Sequence, residues 1–138
     1  GQFILSTSNQ LVHLSALLDS SKLNLKITLD VPQLFTAHGA SKKDIISLLD
    51  TMRTIRHNIA GIHLWGKRKN SAGRRIAHNG DLTSYFYGNT ATKELFLQAL
   101  AHLLDDEIPR YFVPEVNSSN EDLHSIINDL TQSGFTFQ

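Results

Sequence analysis

Cysteine is absent from these 138 residues. Disulfides and thiolate metal sites are thereby excluded, and the absence fits a reducing compartment, so a cytoplasmic location is the expectation. No apolar run approaches the length that a membrane-spanning helix needs, and no membrane partner is expected. The first residues lack the basic start and cleavage site of a secretory signal. An excess of one charge is also missing. Lys and Arg number 13, Asp and Glu number 13, so no global basic field draws in nucleic acid, and any such attraction must come from a local patch. Nor does a glycine-rich phosphate fingerprint follow the first apolar run, which argues against a nucleotide-binding open sheet.

What is present is ordinary globular composition, 41% hydrophobic and 19% charged, with room for a single domain over residues 1–138. A short apolar run followed by an amphipathic helix recurs four times. Phe3-Ile4-Leu5 precedes Leu11, Leu14, Leu17 and Leu18 at helical spacing. The run from Leu25 to Val31 precedes a loop with Pro32 and Gly39, then Ile45, Leu48, Leu49, Met52 and Ile55. The run from Ile59 to Trp65 precedes a long loop from Gly66 to about Asn89, then a helix from Thr92 to Leu104. Tyr111 to Val116 precedes Leu123, Ile126, Ile127 and Leu130, with Gly134 as the stop. Ser41 and Ser119 each stand three residues before an aspartate, a cap-like start. The expected class is α/β with four βα units, either half of a (β/α)₈ barrel or an open parallel sheet. Four units cannot close an eight-stranded barrel. The expectation is therefore the C-terminal half of a barrel domain from a longer chain, partnered by the N-terminal half or by a second copy.

In either architecture the loops after the strands share the ligand-binding face. Asp30, His63 and Glu115 stand at or near the ends of three successive runs, and His78 lies in the long loop. Carboxylate oxygen and imidazole nitrogen suit zinc, manganese or iron. Taken singly, each has a plainer reading: Asp30 as a cap, His63 as a hydrogen-bonded core histidine, Glu115 as the partner of an arginine. Their coincidence on one face is what points to a shared polar site. Lys67, Arg68, Lys69, Arg74 and Arg75 crowd the long loop with no acid among them. Such cations can hold phosphate oxygens, the arginines in bidentate fashion; the plainer reading is a solvated basic loop. Trp65, Tyr85, Phe86 and Tyr87 flank them, as packing residues or as a stacking surface. His38, beside Gly39, falls on the same face and would support a ligand from behind.

These residues also carry a resemblance. Leu29-Asp30 with Phe35-Thr36-Ala37-His38-Gly39, then Ile62-His63-Leu64, then Arg75 to His78 with Asn79-Gly80-Asp81-Leu82, and finally Val113-Pro114-Glu115 resemble the C-terminal half of the xylose-isomerase-like barrel superfamily. That group holds the endonuclease IV type of apurinic/apyrimidinic endonucleases and the sugar isomerases and epimerases. The resemblance spans Phe3 to about Gly134. It implies Asp30, His63, His78 and Glu115 as metal ligands, with Glu115 and His78 moving protons. Departures from the endonuclease pattern are Ser6 in place of a ligand glutamate, Gln33 near the place of a histidine, Trp65-Gly66 in place of Asn-Asp, and Ile76 in place of an aspartate. They imply a single-metal site, or one that has lost its metal, with Gln33 beside it. The expected function is a zinc- or manganese-dependent enzyme domain acting on a phosphorylated sugar or a nucleic-acid backbone. There Lys67, Arg68, Arg74 and Arg75 would hold phosphate. A sugar isomerase or epimerase, and a non-catalytic binding module with a degenerate site, are the alternatives.

Overall fold

The computed structural model describes residues 5–39, 41 and 43–138. Its principal sheet is parallel and has three strands: β1 (Ile27–Asp30), β2 (Ile59–Leu64) and β5 (Tyr111–Pro114), in the order β1-β2-β5. The chain is mixed α/β, and the sheet is not a closed barrel. Phe3 and Ile4 of the first expected strand lie outside the described residues; Leu5 sits in an exposed bend. A helix α1 (Ser8–Ser20) follows it, opened by a capping box in which Thr7 and Gln10 satisfy each other's backbone donors. No helix among the described residues is long and apolar enough to cross a membrane.

Spatial order follows chain order, so both crossovers move the same way along the sheet, with their helices packed together on one face. Those crossovers contain α3 (Asp44–Arg53) and α5 (Thr90–Leu103), which pack against each other, while α6 (Asn120–Gln132) packs on β5. The period-2 alternation of a strand does the rest. Leu29, Ile62 and Leu64 point under the helices and are almost wholly buried. Thr28 and Asp30, Gly61 and His63, Tyr111 and Val113 share the opposite face by register. That face is only partly covered: Tyr111 is 81% exposed.

Two sequence expectations change in form. The stretch after β1, expected as a loop, is the helix α2 (Val31–His38). Its proline occupies the first turn, where a missing N–H costs nothing, and Gly39 closes it in the left-handed region at φ 54°. Both residues punctuate the ends of a helix here, whereas the sequence reading took them as marks of a loop. The long loop from Gly66 to Asn89 also has structure of its own. It forms an antiparallel hairpin of β3 (Lys67–Lys69) and β4 (Arg75–Ala77), then a single-turn helix α4 (Leu82–Tyr85). The Asn70 side chain accepts from the Ala72 and Arg74 backbone N–H groups, and Gly73 supplies a left-handed residue at φ 77°.

Candidate metal centre

The carboxyl ends of three neighbouring strands bring Asp30, His63 and Glu115 together, with one potential ligand atom from each lying within 4.8 Å of the others. Each is placed by local structure. Asp30 is the last residue of β1 and the N-cap of α2, its Oδ1 accepting from the Gln33 backbone N–H at 3.0 Å. The buried Trp65 indole donates to both Asp30 oxygens, at 3.1 and 3.2 Å. His63 lies one register step beside Asp30 on β2. Glu115 follows β5, and its N–H donates to the Leu64 carbonyl at 2.8 Å, which extends the parallel ladder by one residue. The side chains are part-buried, His63 at 29% and Glu115 at 34% exposure.

His63 Nδ1 stands 3.1 Å from Glu115 Oε2, and His78 Nδ1 stands 3.8 Å from the same oxygen. His78 thus borders the cluster without belonging to the tight group of three. Its backbone is left-handed at φ 62°, its ring lies against Trp65 at 4.7 Å, and its carbonyl accepts from the Asn117 N–H. A left-handed conformation in a non-glycine residue persists only where its surroundings enforce it. Two residues further along, two backbones approach closely: a Cβ on Gly66 would collide with Gly80 and the Asp81 carbonyl. Gly80 in turn donates to the Ser118 hydroxyl.

Neither carboxylate has a lysine or arginine ion pair among the described residues; two imidazoles approach Glu115, and the Gln33 and Trp65 N–H groups bond Asp30. Two carboxylates and an imidazole this close, without a fixed cation, are a donor set that fits a divalent ion of the zinc or manganese type. The Trp65 and Gln33 hydrogen bonds hold the Asp30 carboxylate in place from behind, as supporting groups do in metal sites.

The remaining sequence candidates are dispersed. Arg68 makes a bidentate pair with the buried Asp122 at 2.8 and 2.9 Å. Arg75 donates to the Tyr85 carbonyl and lies 3.7 Å above the Tyr87 ring. The Lys67 ammonium has no partner among the described residues, and Arg74 and Lys69 are exposed. Gln33 meets Asp30 through its backbone. His38 Nε2 accepts from the Ser8 N–H at 2.9 Å, which links α2 to the start of α1, away from the three ligand candidates. The sequence reading missed the Trp65–Asp30 pairing. An indole whose only polar atom is a donor, on a strand neighbouring an aspartate, is the signal that could have revealed it. Compared with protein-family models, curated proteins and solved structures, the chain matches none.

Proposed function

We propose that this protein is a divalent-metal-dependent enzyme domain acting on a phosphorylated sugar or a nucleic-acid backbone. The observation that carries the reading is the convergence of Asp30, His63 and Glu115 from three adjacent strand ends. These three residues would hold zinc or manganese. A divalent ion supplies Lewis-acid polarisation of a phosphoryl oxygen and makes bound water a nucleophile at neutral pH. The chain's own groups do the rest. Trp65 fixes the Asp30 carboxylate by two hydrogen bonds. His78, 3.8 Å from Glu115, is positioned to hold or pass a proton at Nδ1. The hairpin that begins directly after β2 carries Lys67, Lys69, Arg74 and Arg75, cations for phosphate oxygens.

A second reading is favoured by one observation. The His63–Glu115 contact at 3.1 Å satisfies both groups without a metal, as in a degenerate site kept for binding alone. Metal content by mass spectrometry of tag-free protein, beside a His63→Ala/Glu115→Ala double variant, separates the two. Stoichiometric metal lost in the variant supports the enzyme reading. No metal in either protein after loading with zinc and manganese overturns it in favour of the binding module.

A further inference from the structure

A cleft of about 640 Å³ opens between the C-terminal end of α2 and the hairpin. Its volume is that of a small-molecule site. Tyr85 belongs to its wall and also touches Trp65, the residue that holds Asp30. Lys67 and Arg75 line it together with Thr36, Asn89 and Tyr87, and no carboxylate is among the described lining residues. In a chain whose charges balance overall, a cleft lined by cations alone is selective for an anion. Burial pushes the Tyr85 phenol up to about 12, against the lowering effect of its Thr36 contact, so it remains protonated at neutral pH.

Arg75 is held ready. Its guanidinium donates to the Tyr85 carbonyl and is stacked on one face of Tyr87, leaving further N–H donors for a ligand. Tyr87 is 78% exposed and sits in the left-handed region at φ 57°. A large aromatic residue there is strained, and strain of this kind gathers at ligand clamps. Its ring offers a free face opposite the arginine.

We propose that this cleft binds a nucleoside monophosphate, with Arg75 and Lys67 on the phosphate and the Tyr87 ring against the base. The proposal deepens the phosphoester reading and rests on it for the ligand's role as substrate, but not for binding itself. The experiment is isothermal titration of the metal-free protein, in chelator, with adenosine monophosphate and with inorganic phosphate. Arg75→Ala should weaken both ligands about tenfold or more, the loss of a charge-assisted contact. Tyr87→Ala should weaken the nucleotide about tenfold and leave inorganic phosphate unchanged, because only the base stacks. Lys22→Ala is the charge-matched control, since the exposed Lys22 does not line the cleft; it should bind like the unaltered protein, and thermal melts verify that every variant is folded. Absence of nucleotide binding at millimolar concentration, or equal losses in Lys22→Ala and Arg75→Ala, overturns the proposal. Because the titration contains no metal, failure of the metal centre and failure of the cleft are read separately.

Discussion

Asp30 caps α2 and, in the proposed function, also holds the metal, and substitutions can pull the two roles apart. Asparagine keeps an oxygen that caps α2, whereas alanine removes the cap. Asp30→Ala is therefore expected to lose about 1 kcal/mol of stability by denaturant titration even in chelator. Asp30→Asn should stay within about 0.5 kcal/mol of the parent, yet bind zinc far more weakly, having lost the negative charge. A cap role alone would leave zinc binding of the Asp30→Asn protein unchanged. Gly66 is decisive for a different reason. Its missing Cβ lets β2 run against Gly80 and Asp81, backbone against backbone, so no flexible side chain can yield. Gly66→Ala should cost about 3 kcal/mol and release His78 from Trp65, visible as a change in Trp65 fluorescence. A parent-like melting temperature would show that the approach relaxes freely.

At the scale of elements, the basic hairpin is latched to α6. Arg68 meets Asp122, which also accepts from the Ser118 and Ser119 hydroxyls, and Asp81 next to Gly80 accepts from Ser125 of α6. The Arg68 bonds, chiefly, hold the Asp122 carboxyl below its ordinary value, with burial opposing and the two hydroxyls assisting. At Asp81 burial opposes, and the Ser84 N–H and Ser125 hydroxyl outweigh it. A depressed folded-state value means stability that is complete above the ordinary carboxylate range and is lost as pH falls through the folded value. Arg68→Ala should cost about 1 kcal/mol at neutral pH, since the arginine is half exposed. It should also flatten the decline in stability as pH falls below the ordinary carboxylate range. An unchanged acid limb in guanidinium-free thermal melts would remove Arg68 from the latch. The basic loop was legible in sequence as a cluster of cations. That one of them is spent on α6 was not, because Asp122 lies 54 residues away and in sequence reads only as a helix-start acid.

Across the described residues, the sheet is covered on one side and open at both edges. Strand β2 is paired on both sides, β1 and β5 on one each. Native-state hydrogen exchange should accordingly find its slowest amides at Gly61 to Leu64 and faster ones in β5; equal protection in β5 would mean that its open edge is covered in solution, as by a second copy. The opposite end of the sheet is tied by Arg110, which is 2% exposed and donates to the Ile59 and Arg56 carbonyls and to Asp106. That guanidinium, before all else, holds the Asp106 carboxyl down to about 2. Its contribution, about 1 kcal/mol after solvent screening, is complete above about pH 4 and disappears as pH falls through 2. Asp106→Asn should remove it, measured as a smaller difference in melting temperature between pH 5 and pH 2.5.

Local pattern was enough to place the strands around Ile27–Asp30, Ile59–Leu64 and Tyr111–Pro114, the helices α3, α5 and α6, and the cap at Ser119, because alternation, 3.6-residue periodicity and capping act over a few residues. It also put Asp30, His63 and Glu115 on one face, since parallel strands end on the same side. It did not reach the helix after Asp30, where Pro32 and Gly39 have opposite meanings inside and outside a helix. Nor did it reach the hairpin within the long loop, whose strands are only three residues each. Only the tertiary structure decided which cations stay free and which are spent on Asp122 or Tyr85, that Trp65 clamps Asp30, and that a cleft opens between α2 and the hairpin. Each of these depends on contacts between residues far apart in the chain, whose distances are set by packing and not by spacing.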